Sequence, residues 1–363
     1  MPQFVTFGEI MMRMAPPGFL RLQQTLPGPI DATFAGAEAN VAASLSMLGA
    51  DVAFVSALPD NPLTAACVAT LRGLGVDTAN VIRSATGRMG IYFVEGGANQ
   101  RPSRVIYDRD GSTISLTAPQ EYDWETAFAG AHSLHVSGIT PALSELAAAA
   151  TITAVQRAQE AGIRVSCDLN YRAKLWNWKP GVERKRLAAE TMAMVLPHVD
   201  ILIANEADCG DVLGIHAGHS DVDSGDVEVQ AYPDVARQVT SRFPNIKFVA
   251  TTLRESISAS HNNWGAMLFD VSADKALFAP ESEGVYQPYL IRNIVDRVGG
   301  GDAFAAGLLF ALNHDDYAGP LEALQFATAS SCLAHSILGD FNFSNRTEVD
   351  ALMAGSGTGR VVR

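Results

Sequence analysis

Three consecutive glycines, Gly299, Gly300 and Gly301, constrain this chain more than any other part of its sequence. They lie between a hydrophobic extended run at residues 289–295 and an apolar run of helical character at residues 303–312. Glycine lets the backbone approach a ligand closely because it has no Cβ atom. The first turn of a helix also points free N–H groups and a partial positive charge at its surroundings. This order of segments therefore predicts an anion-binding turn.

Asp302 follows the glycines directly and allows two interpretations. In the first, its carboxylate caps the start of the helix, a contact that stabilises a helix by about 1 kcal/mol. In the second, it is a base beside the anion-binding turn and takes a proton from an attacking hydroxyl group. A carboxylate repels a phosphate bound next to it, so its presence calls for a chemical role, and phosphoryl transfer provides one. The local sequence leaves both interpretations open.

The composition limits the partners of the protein. Its 363 residues are 48% hydrophobic and 18% charged, which is typical of a globular protein that buries a large core. The net charge of −13 argues against a nucleic acid partner, because such binding needs clustered lysine and arginine. An anionic substrate must therefore be bound by local cations.

Cysteine usage and hydropathy predict a cytoplasmic protein with no membrane partner. We recognise no signal peptide and no apolar run of membrane-spanning length. The cysteines are scattered without the spacing of a metal site, and we expect them to be reduced. They are Cys67, Cys167, Cys209 and Cys332.

Strand-like and helix-like segments alternate along the chain. Short apolar runs, such as residues 4–7, 163–169 and 201–204, are typical of buried strands. Their alternation with helical segments predicts an α/β fold with a mainly parallel sheet and helices on both faces. No linker divides the chain, so we expect residues 1–363 to form a single domain.

Two regions depart from this alternation. Residues 90–95 and 104–107 are extended on either side of a Gly-Gly turn, which predicts a hairpin and, within an α/β chain, a candidate lid. Residues 258–270 predict a second hairpin that turns at Asn262 and Asn263. Residues 216–229 are polar and acidic, which predicts an exposed insertion.

The stretch D-R-V-G-G-G-D-A-F, residues 296–304, resembles the second signature of the PfkB, or ribokinase-like, sugar kinases, D-T-x-G-A-G-D-x-F. The resemblance implies that Asp302 is the catalytic base and that the amides of residues 299–301 form the anion hole. Arg297 stands where threonine is usual, and Gly300 where alanine is usual. Neither change removes the base or the backbone donors.

The segment A-G-A-E-A-N-V-A, residues 35–42, resembles the first signature of the same family, in which glycines and an asparagine contact the sugar. The resemblance implies that Gly36 and Asn40 bind the substrate, although Ala35 replaces the first glycine of the pair. A turn followed by a helix cap explains the same residues equally well.

Ribokinase-like kinases close a small β-sheet lid over the sugar, and the lid often forms a dimer interface. The resemblance therefore implies lid segments near residues 11–34 and 88–110 of this chain. It also implies a homodimer or a higher homo-oligomer that assembles through the lid.

The lid hairpin and the segment D-L-N-Y-R-A-K-L-W resemble the keto-deoxygluconate kinases of this family, which bind an acid sugar. The planar fork of an arginine matches a carboxylate, and tyrosines supply hydrogen bonds. Half-buried strand tyrosines and solvated arginines are the simpler alternative. The residues that the resemblance assigns to the substrate are Tyr92, Tyr107, Arg109, Asn170 and Arg172.

The resemblance also assigns residues to ATP and Mg²⁺. Residues 205–208, N-E-A-D, resemble the N-x-x-E motif that helps to place Mg²⁺ and phosphate through water, and Mg²⁺ keeps several waters. In relatives the region around Asp296 can bind a monovalent cation such as K⁺. The assigned nucleotide residues are Asn205, Thr252, Arg254, Gly299 and Gly301, and the assigned metal residues are Asp208, Glu206 and Asp296.

These resemblances imply an ATP-dependent sugar-acid kinase that phosphorylates the terminal hydroxyl of 2-keto-3-deoxy-D-gluconate to 2-keto-3-deoxy-6-phosphogluconate. The alternatives are a fructokinase, a ribokinase, a 5-keto-2-deoxygluconate kinase, or a non-catalytic sugar-binding protein on the same scaffold. The chain has no P-loop motif, and no G-x-G-x-x-G follows the first strand.

Overall fold

Two β-sheets organise the protein, whose computed structural model describes residues 3–205, 207–216 and 229–355. The strands in chain order are β1 Phe4–Phe7, β2 Met11–Ala15, β3 Asp31–Ala35, β4 Val52–Pro59, β5 Val81–Ser84, β6 Gly90–Glu95, β7 Arg104–Asp108, β8 Ser133–Ser137, β9 Arg164–Asp168, β10 Ile201–Asn205, β11 Phe248–Ser258, β12 His261–Asp270, β13 Lys275–Ala279, β14 Glu281–Ser282, β15 Val285–Tyr286 and β16 Tyr289–Ile291.

Helices fill most of the connections between these strands. They are α1 Leu22–Thr25, α2 Ala37–Met47, α3 Pro62–Gly73, α4 Thr113–Leu116, α5 Trp124–Ala127, α6 Glu145–Glu160, α7 Arg184–Val195, α8 Tyr232–Arg242, α9 Gly300–Leu312, α10 Pro320–Ala334 and α11 Arg346–Met353. Among the described residues, no helix combines the length and apolar character that crossing a membrane requires.

The large sheet is mainly parallel, as the alternation of segments predicts. Strands β5, β4, β1, β8, β9, β10 and β11 lie side by side in that order and all run parallel. The antiparallel strands β12 and β13 extend the sheet beyond β11, and β16 pairs with β12. The carboxyl ends of the parallel strands consequently meet at one edge, where such sheets bind ligands.

Each face of the large sheet has its own hydrophobic core. Side chains alternate across a strand, so Phe4 of β1 packs into one core while Val5 and Phe7 pack into the other. Helices α6, α7 and α8 cover the face of Val5, and α2, α3, α9 and α10 cover the face of Phe4. The predicted α/β fold with helices on both faces is therefore confirmed.

The smaller sheet has four strands in the order β3, β2, β6, β7, drawn from both segments predicted to form a lid. β2 pairs with β3 antiparallel and with β6 parallel, and β6 pairs with β7 antiparallel. Its small core consists of Met11, Ala35, Tyr92 and Val94. Val298, in the loop before α9, packs against this core. This contact brings the lid next to the glycine turn.

The second predicted hairpin exists, but the prediction of its turn is wrong. β11 runs on to Ser258 and β12 starts at His261, so the chain turns at residues 259 and 260. Asn262 and Asn263 lie inside β12, where they pair with both β11 and β16. Pairing on both sides outweighs the turn preference of the two asparagines. Of the predicted insertion, residues 217–228 lie outside the described residues.

Candidate active site

A cavity of about 360 Å³ lies between the lid sheet and the carboxyl ends of the parallel strands. The loops that follow β9 and β10 and the start of α9 enter it from the large sheet, and β6 and β7 enter it from the lid. The residues predicted from the sequence that line this cavity are Gly36, Asn40, Tyr92, Tyr107, Arg109, Asn170, Arg172, Asn205, Asp208, Thr252, Arg254, Gly299, Gly301 and Asp302.

Asp302 lies in the first turn of α9, which begins one residue after Gly299. Its side chain does not cap the helix, so the capping interpretation is wrong. Instead, Asn40 Nδ2 donates a hydrogen bond of 2.6 Å to Asp302 Oδ2. Burial raises the pKa of Asp302 to about 7, although this hydrogen bond opposes the rise. A carboxyl group of that pKa exchanges protons readily at neutral pH, as a general base must.

Asn40 joins the first signature to this carboxyl group. It lies in the first turns of α2, and its Oδ1 accepts a hydrogen bond of 3.1 Å from the N–H of Gly36. A Cβ atom at Gly36 would lie 2.0 Å from the carbonyl oxygen of Glu9, so only glycine fits there. Ala35, which replaces the first glycine of the pair, is fully buried in the core of the lid.

The glycine turn has the form that anion binding requires. Gly299 has a φ of 85°, in the left-handed region that favours glycine, and a Cβ atom there would lie 2.2 Å from the carbonyl oxygen of Asp340. Gly301 faces the cavity, whereas Gly300 is buried behind it. Ser331 Oγ donates a hydrogen bond of 2.6 Å to the carbonyl oxygen of Gly300, which holds the turn against α10.

The two lid tyrosines have different surroundings. Tyr92 is buried, and its hydroxyl group donates a hydrogen bond of 2.7 Å to Asp340 Oδ2. Tyr107 is 39% exposed, and its ring centroid lies 6.1 Å from that of Tyr92. The interpretation of half-buried strand tyrosines therefore describes Tyr107 but not Tyr92.

Arg109 is buried, so the interpretation of a solvated arginine is wrong. Its guanidinium group forms an ion pair with Glu9, which is also buried, and lies 5.4 Å from the centroid of the Tyr107 ring. Such a cation–π contact restricts the orientation of the group. Sequence analysis did not identify Glu9, because the partners are separated by 100 residues.

Arg172 is the more exposed of the two predicted carboxylate ligands. Its Nη1 donates a hydrogen bond of 3.1 Å to the carbonyl oxygen of Tyr171. Burial raises the pKa values of Asp168, Asp208 and Asp302, and the charge of Arg172 opposes this rise in all three. The guanidinium group therefore supplies positive charge among three carboxyl groups, where an anionic substrate needs it.

Asp168 and Asp340 line the cavity although sequence analysis did not select them. Burial and the nearby charges of Asp208 and Asp302 raise the pKa of Asp168 well above its ordinary value. Its Oδ1 accepts a hydrogen bond of 3.1 Å from the N–H of Asn170, whose φ of 39° is left-handed. Asp168 could have been predicted from its position at the carboxyl end of a strand, where parallel sheets bind ligands.

Residues 1–241 match the sequence profile of the pfkB family carbohydrate kinases, which is more than half of the chain. The chain belongs to this family. It is therefore a phosphotransferase with an alcohol group as acceptor, which disfavours the non-catalytic alternative. The second signature lies beyond the matched residues, within the part of the chain that the full-length relatives cover.

Three relatives show how far the similarity extends. A 2-dehydro-3-deoxygalactonokinase of Haloferax volcanii is 32% identical over 98% of each chain. The crystal structure of a 2-dehydro-3-deoxygluconokinase from Thermotoga maritima is 42% identical and superposes with a TM-score of 0.86, covering 98% of this chain and 100% of that one. A PfkB family carbohydrate kinase from Listeria grayi is 32% identical with a TM-score of 0.84, covering 97% and 99%.

Three of the nucleotide residues predicted for this kinase lie together on neighbouring strands, and the other two, Gly299 and Gly301, lie at the start of α9. Asn205 ends β10 directly opposite Thr252 of β11, and Arg254 follows on the same strand. Arg297, which departs from the family signature, donates a hydrogen bond of 2.6 Å from Nη2 to the carbonyl oxygen of Ala259. It therefore connects the β11–β12 turn to the glycine turn, a role that its sequence did not reveal.

Of the predicted metal residues of the kinase, Asp208 lines the cavity and Glu206 lies outside the described residues. Asp208 Oδ1 accepts a hydrogen bond of 3.2 Å from the N–H of Tyr171, and Oδ2 accepts one of 3.0 Å from the N–H of Asn205. Among residues 3–205, 207–216 and 229–355, no group of three or more His, Cys, Asp or Glu side chains has the arrangement of a metal site. Asp208 is buried and both of its oxygens accept backbone hydrogen bonds, so the assignment of Asp208 and Glu206 to Mg²⁺ stays a prediction.

Asp296 uses both carboxylate oxygens within the protein. Oδ1 accepts hydrogen bonds from the N–H groups of Arg297, at 2.7 Å, and Val298, at 3.2 Å. Oδ2 forms an ion pair with Arg13 and lies 3.3 Å from the N–H of Gly339. The assignment of Asp296 to a metal or to K⁺ stays a prediction, without support from this geometry.

Proposed function

We propose that this kinase transfers the γ-phosphoryl group of ATP to the terminal hydroxyl of 2-keto-3-deoxy-D-gluconate and forms 2-keto-3-deoxy-6-phosphogluconate. The observation that carries the proposal is the position of Asp302, a carboxyl group with a pKa of about 7 in a cavity that Arg109, Arg172 and the glycine turn also line. A base, an anion hole and cations for an acid sugar are the parts that this reaction needs.

The chemical step follows from this arrangement. Asp302 accepts the proton of the terminal hydroxyl group as its oxygen attacks the γ-phosphorus in line. The bond from the γ-phosphorus to the β–γ bridging oxygen breaks, and ADP leaves with that electron pair. The amides at Gly299 and Gly301, at the start of α9, stabilise the negative charge on the transferred group.

Mg²⁺ enters the proposal with the nucleotide. When bound, it neutralises charge on the phosphate groups. Asp208 and Asn205 would contact its water shell, and the proposal is supported by their place in the cavity lining at the carboxyl end of β10. Thr252 and Arg254 contribute a hydroxyl group and a positive charge on the same side.

Selection of an acid sugar rests on Arg172 and Arg109. Arg172 places a cation at the cavity, and Arg109 offers the part of its guanidinium group that Glu9 does not use. The name of the Thermotoga maritima relative supports the gluco substrate. The name of the Haloferax volcanii relative favours the galacto epimer as a second candidate.

The lid completes the proposal. Tyr92 and Tyr107 close one side of the cavity, and a closed lid excludes water that would otherwise compete as nucleophile.

The lid segments also expose the apolar residues Phe19, Leu20 and Ile106, and we propose that they contribute to a homo-oligomeric interface. We also propose that the kinase is located in the cytoplasm.

A kinetic panel tests the substrate. ADP release is measured with 2-keto-3-deoxy-D-gluconate, its galacto epimer, 5-keto-2-deoxygluconate, fructose and ribose, and we expect the highest kcat/KM for a keto-deoxy acid. The variant R172M removes the exposed cation, so KM for the acid sugar should rise while turnover of a neutral sugar changes little. R184M, on the surface helix α7, is the matched control. A higher kcat/KM for ribose or fructose means that the substrate assignment is wrong.

A further inference from the structure

Arg13 is a buried arginine of the lid whose charge is used inside the protein. It lies in the middle of β2, opposite Thr33 of β3 and Tyr92 of β6, and is only 5% exposed. Its guanidinium group forms ion pairs with Asp296 and Asp340, two acidic residues outside the lid. Arg13 is not among the residues that line the cavity, so we expect it to act on the reaction through its partners.

Both partners of Arg13 belong to the loops that shape the glycine turn. The Asp296 carboxylate accepts hydrogen bonds from the N–H groups of Arg297 and Val298, just before the glycines. The carbonyl oxygen of Asp340 packs directly against Gly299, where no Cβ atom would fit. One guanidinium group therefore holds the loop that leads into the turn and the loop that packs on it.

The same contact reaches the substrate side of the cavity. Asp340 binds Arg13 through Oδ1 and accepts the hydrogen bond from the hydroxyl group of Tyr92 through Oδ2. Tyr92 and Arg13 are directly opposite each other on adjacent lid strands. The carboxylates of Asp296 and Asp340 thus connect the lid strands β2 and β6 to the loops around the anion hole.

Charge explains why an arginine is suited to this position. Burial raises the pKa of Asp340, and the neighbouring charge of Asp296 adds to that rise, so the two carboxylates disfavour each other without a cation. The planar fork of arginine binds two carboxylates with separate nitrogen atoms, which the single ammonium group of lysine matches poorly.

We propose that Arg13 is a positioning residue that fixes the anion hole of Gly299–Gly301 relative to the lid, so that transfer occurs only with the lid wall in place. The inference rests on the proposed phosphoryl transfer. A small displacement of groups that stabilise the transition state lowers kcat more than it weakens substrate binding. A misplacement of about 1 Å lowers the rate about a hundredfold.

Steady-state kinetics of R13Q and R13K test this role, with the best substrate of the kinetic panel. We expect kcat of R13Q to fall about a hundredfold, by the same estimate, while KM for the sugar changes little. R13K should retain more activity than R13Q, because it keeps the charge. The matched control is R88Q, which removes an exposed lid ion pair with Asp108, at 2.7 Å, and should keep the kcat of the unmodified kinase.

Chemical rescue separates positioning from a structural brace. In R13A, guanidinium ion at low, non-denaturing concentration should enter the space left by the side chain and restore part of kcat. Urea, which has a similar shape and no charge, should not. Recovery of the melting temperature without recovery of kcat, failure of R13A to fold even with guanidinium, or an unchanged kcat in R13Q would each overturn the proposal. If the proposed function is wrong, the unmodified kinase itself shows no transfer to a sugar acid in the kinetic panel, and this result differs from an effect of the Arg13 variants.

Discussion

The carboxyl group of Asp302 lies in surroundings that disfavour its charge. Burial raises its pKa to about 7, and the negative charges of Asp340 and Glu38 add to this rise. The hydrogen bond from Asn40 and the charge of Arg172 act in the opposite direction. The balance leaves a stronger base than an exposed aspartate, with the proton affinity that removing a hydroxyl proton requires.

The substitution Asp302→Asn tests the base by removing its charge and keeping its shape. We expect kcat to fall by about two to four orders of magnitude, the usual contribution of general base catalysis. Binding of the sugar and of an ATP analogue, measured by calorimetry, should persist. Because the pKa of Asp302 is raised in the folded state, its ionisation destabilises the fold as pH rises from the ordinary aspartate pKa towards 7. At pH 8 the melting temperature of D302N should therefore be no lower than that of the unmodified kinase. Substantial turnover in D302N would contradict the role of base.

The pH dependence of the reaction follows from the same group. A base must be deprotonated, so kcat/KM for the sugar should be constant above a pH of about 7 and should decrease as pH falls below it. The measurement is a profile of kcat/KM at saturating Mg–ATP, with circular dichroism at each pH to show that the fold persists. An acidic limb near the ordinary pKa of aspartate would mean that the base is not the carboxyl group of Asp302.

At the scale of elements, the start of α9 depends on one backbone conformation. Gly299 combines a left-handed φ with the close approach of the Asp340 carbonyl group, and α9 begins at the next residue. The orientation of the free N–H groups in the first turn therefore depends on this conformation. Arg297 supports the same turn from the other side, through the β11–β12 turn at Ala259.

Alanine substitutions at two glycines of the turn should have opposite effects on stability. Gly299→Ala introduces a Cβ atom 2.2 Å from the carbonyl oxygen of Asp340 and strains the backbone, so both melting temperature and kcat should decrease. Gly301→Ala is the matched control, since its Cβ atom meets nothing within 4 Å and alanine favours a helix by about 1 kcal/mol. A melting temperature of G301A as low as that of G299A would contradict this account.

At the scale of the whole molecule, the cavity depends on both sheets. Strands β9, β10 and β11 supply its floor, and β6 and β7 supply its lid wall, with Val298 packed between the glycine turn and the lid core. A ligand held by both sheets stabilises their relative position, and it binds the folded chain only.

Ligand-dependent unfolding measures this coupling. At about a hundred times its Kd, a ligand adds about 2.7 kcal/mol to the free energy of unfolding. The acid sugar and a non-hydrolysable ATP analogue should therefore each raise the melting temperature, and together they should raise it further. Ribose serves as the control at equal concentration. A larger rise with ribose than with the acid sugar would contradict the proposed specificity.

Much of the fold and several site residues could be predicted because they depend on local sequence. Apolar runs of strand length alternate with helical patterns, and this local order implies a parallel sheet with its ligand site at one edge. The segment containing Asn170 and Arg172 follows β9 directly, and the glycines beside Asp302 were recognised from their own sequence at the start of a helix. All of these residues lie at the cavity apart from the buried Gly300. For Asn170 and Arg172, chain order is enough to predict a position at the cavity, since the parallel strands share their carboxyl edge.

Other features were decided by the tertiary structure alone. Arg13 and Asp340 are 327 residues apart, and Glu9 and Arg109 are 100 residues apart, so no local sequence pattern predicts either ion pair. The turn between β11 and β12 lies before the two asparagines because β16 pairs with the strand that contains them. Sequence thus determined the elements and the loops that carry the chemistry, because propensity and hydrophobic period act over a few residues. Packing decided the partners, the proton affinity of Asp302 and the position of the lid, because burial and long-range charge exist only in the folded chain.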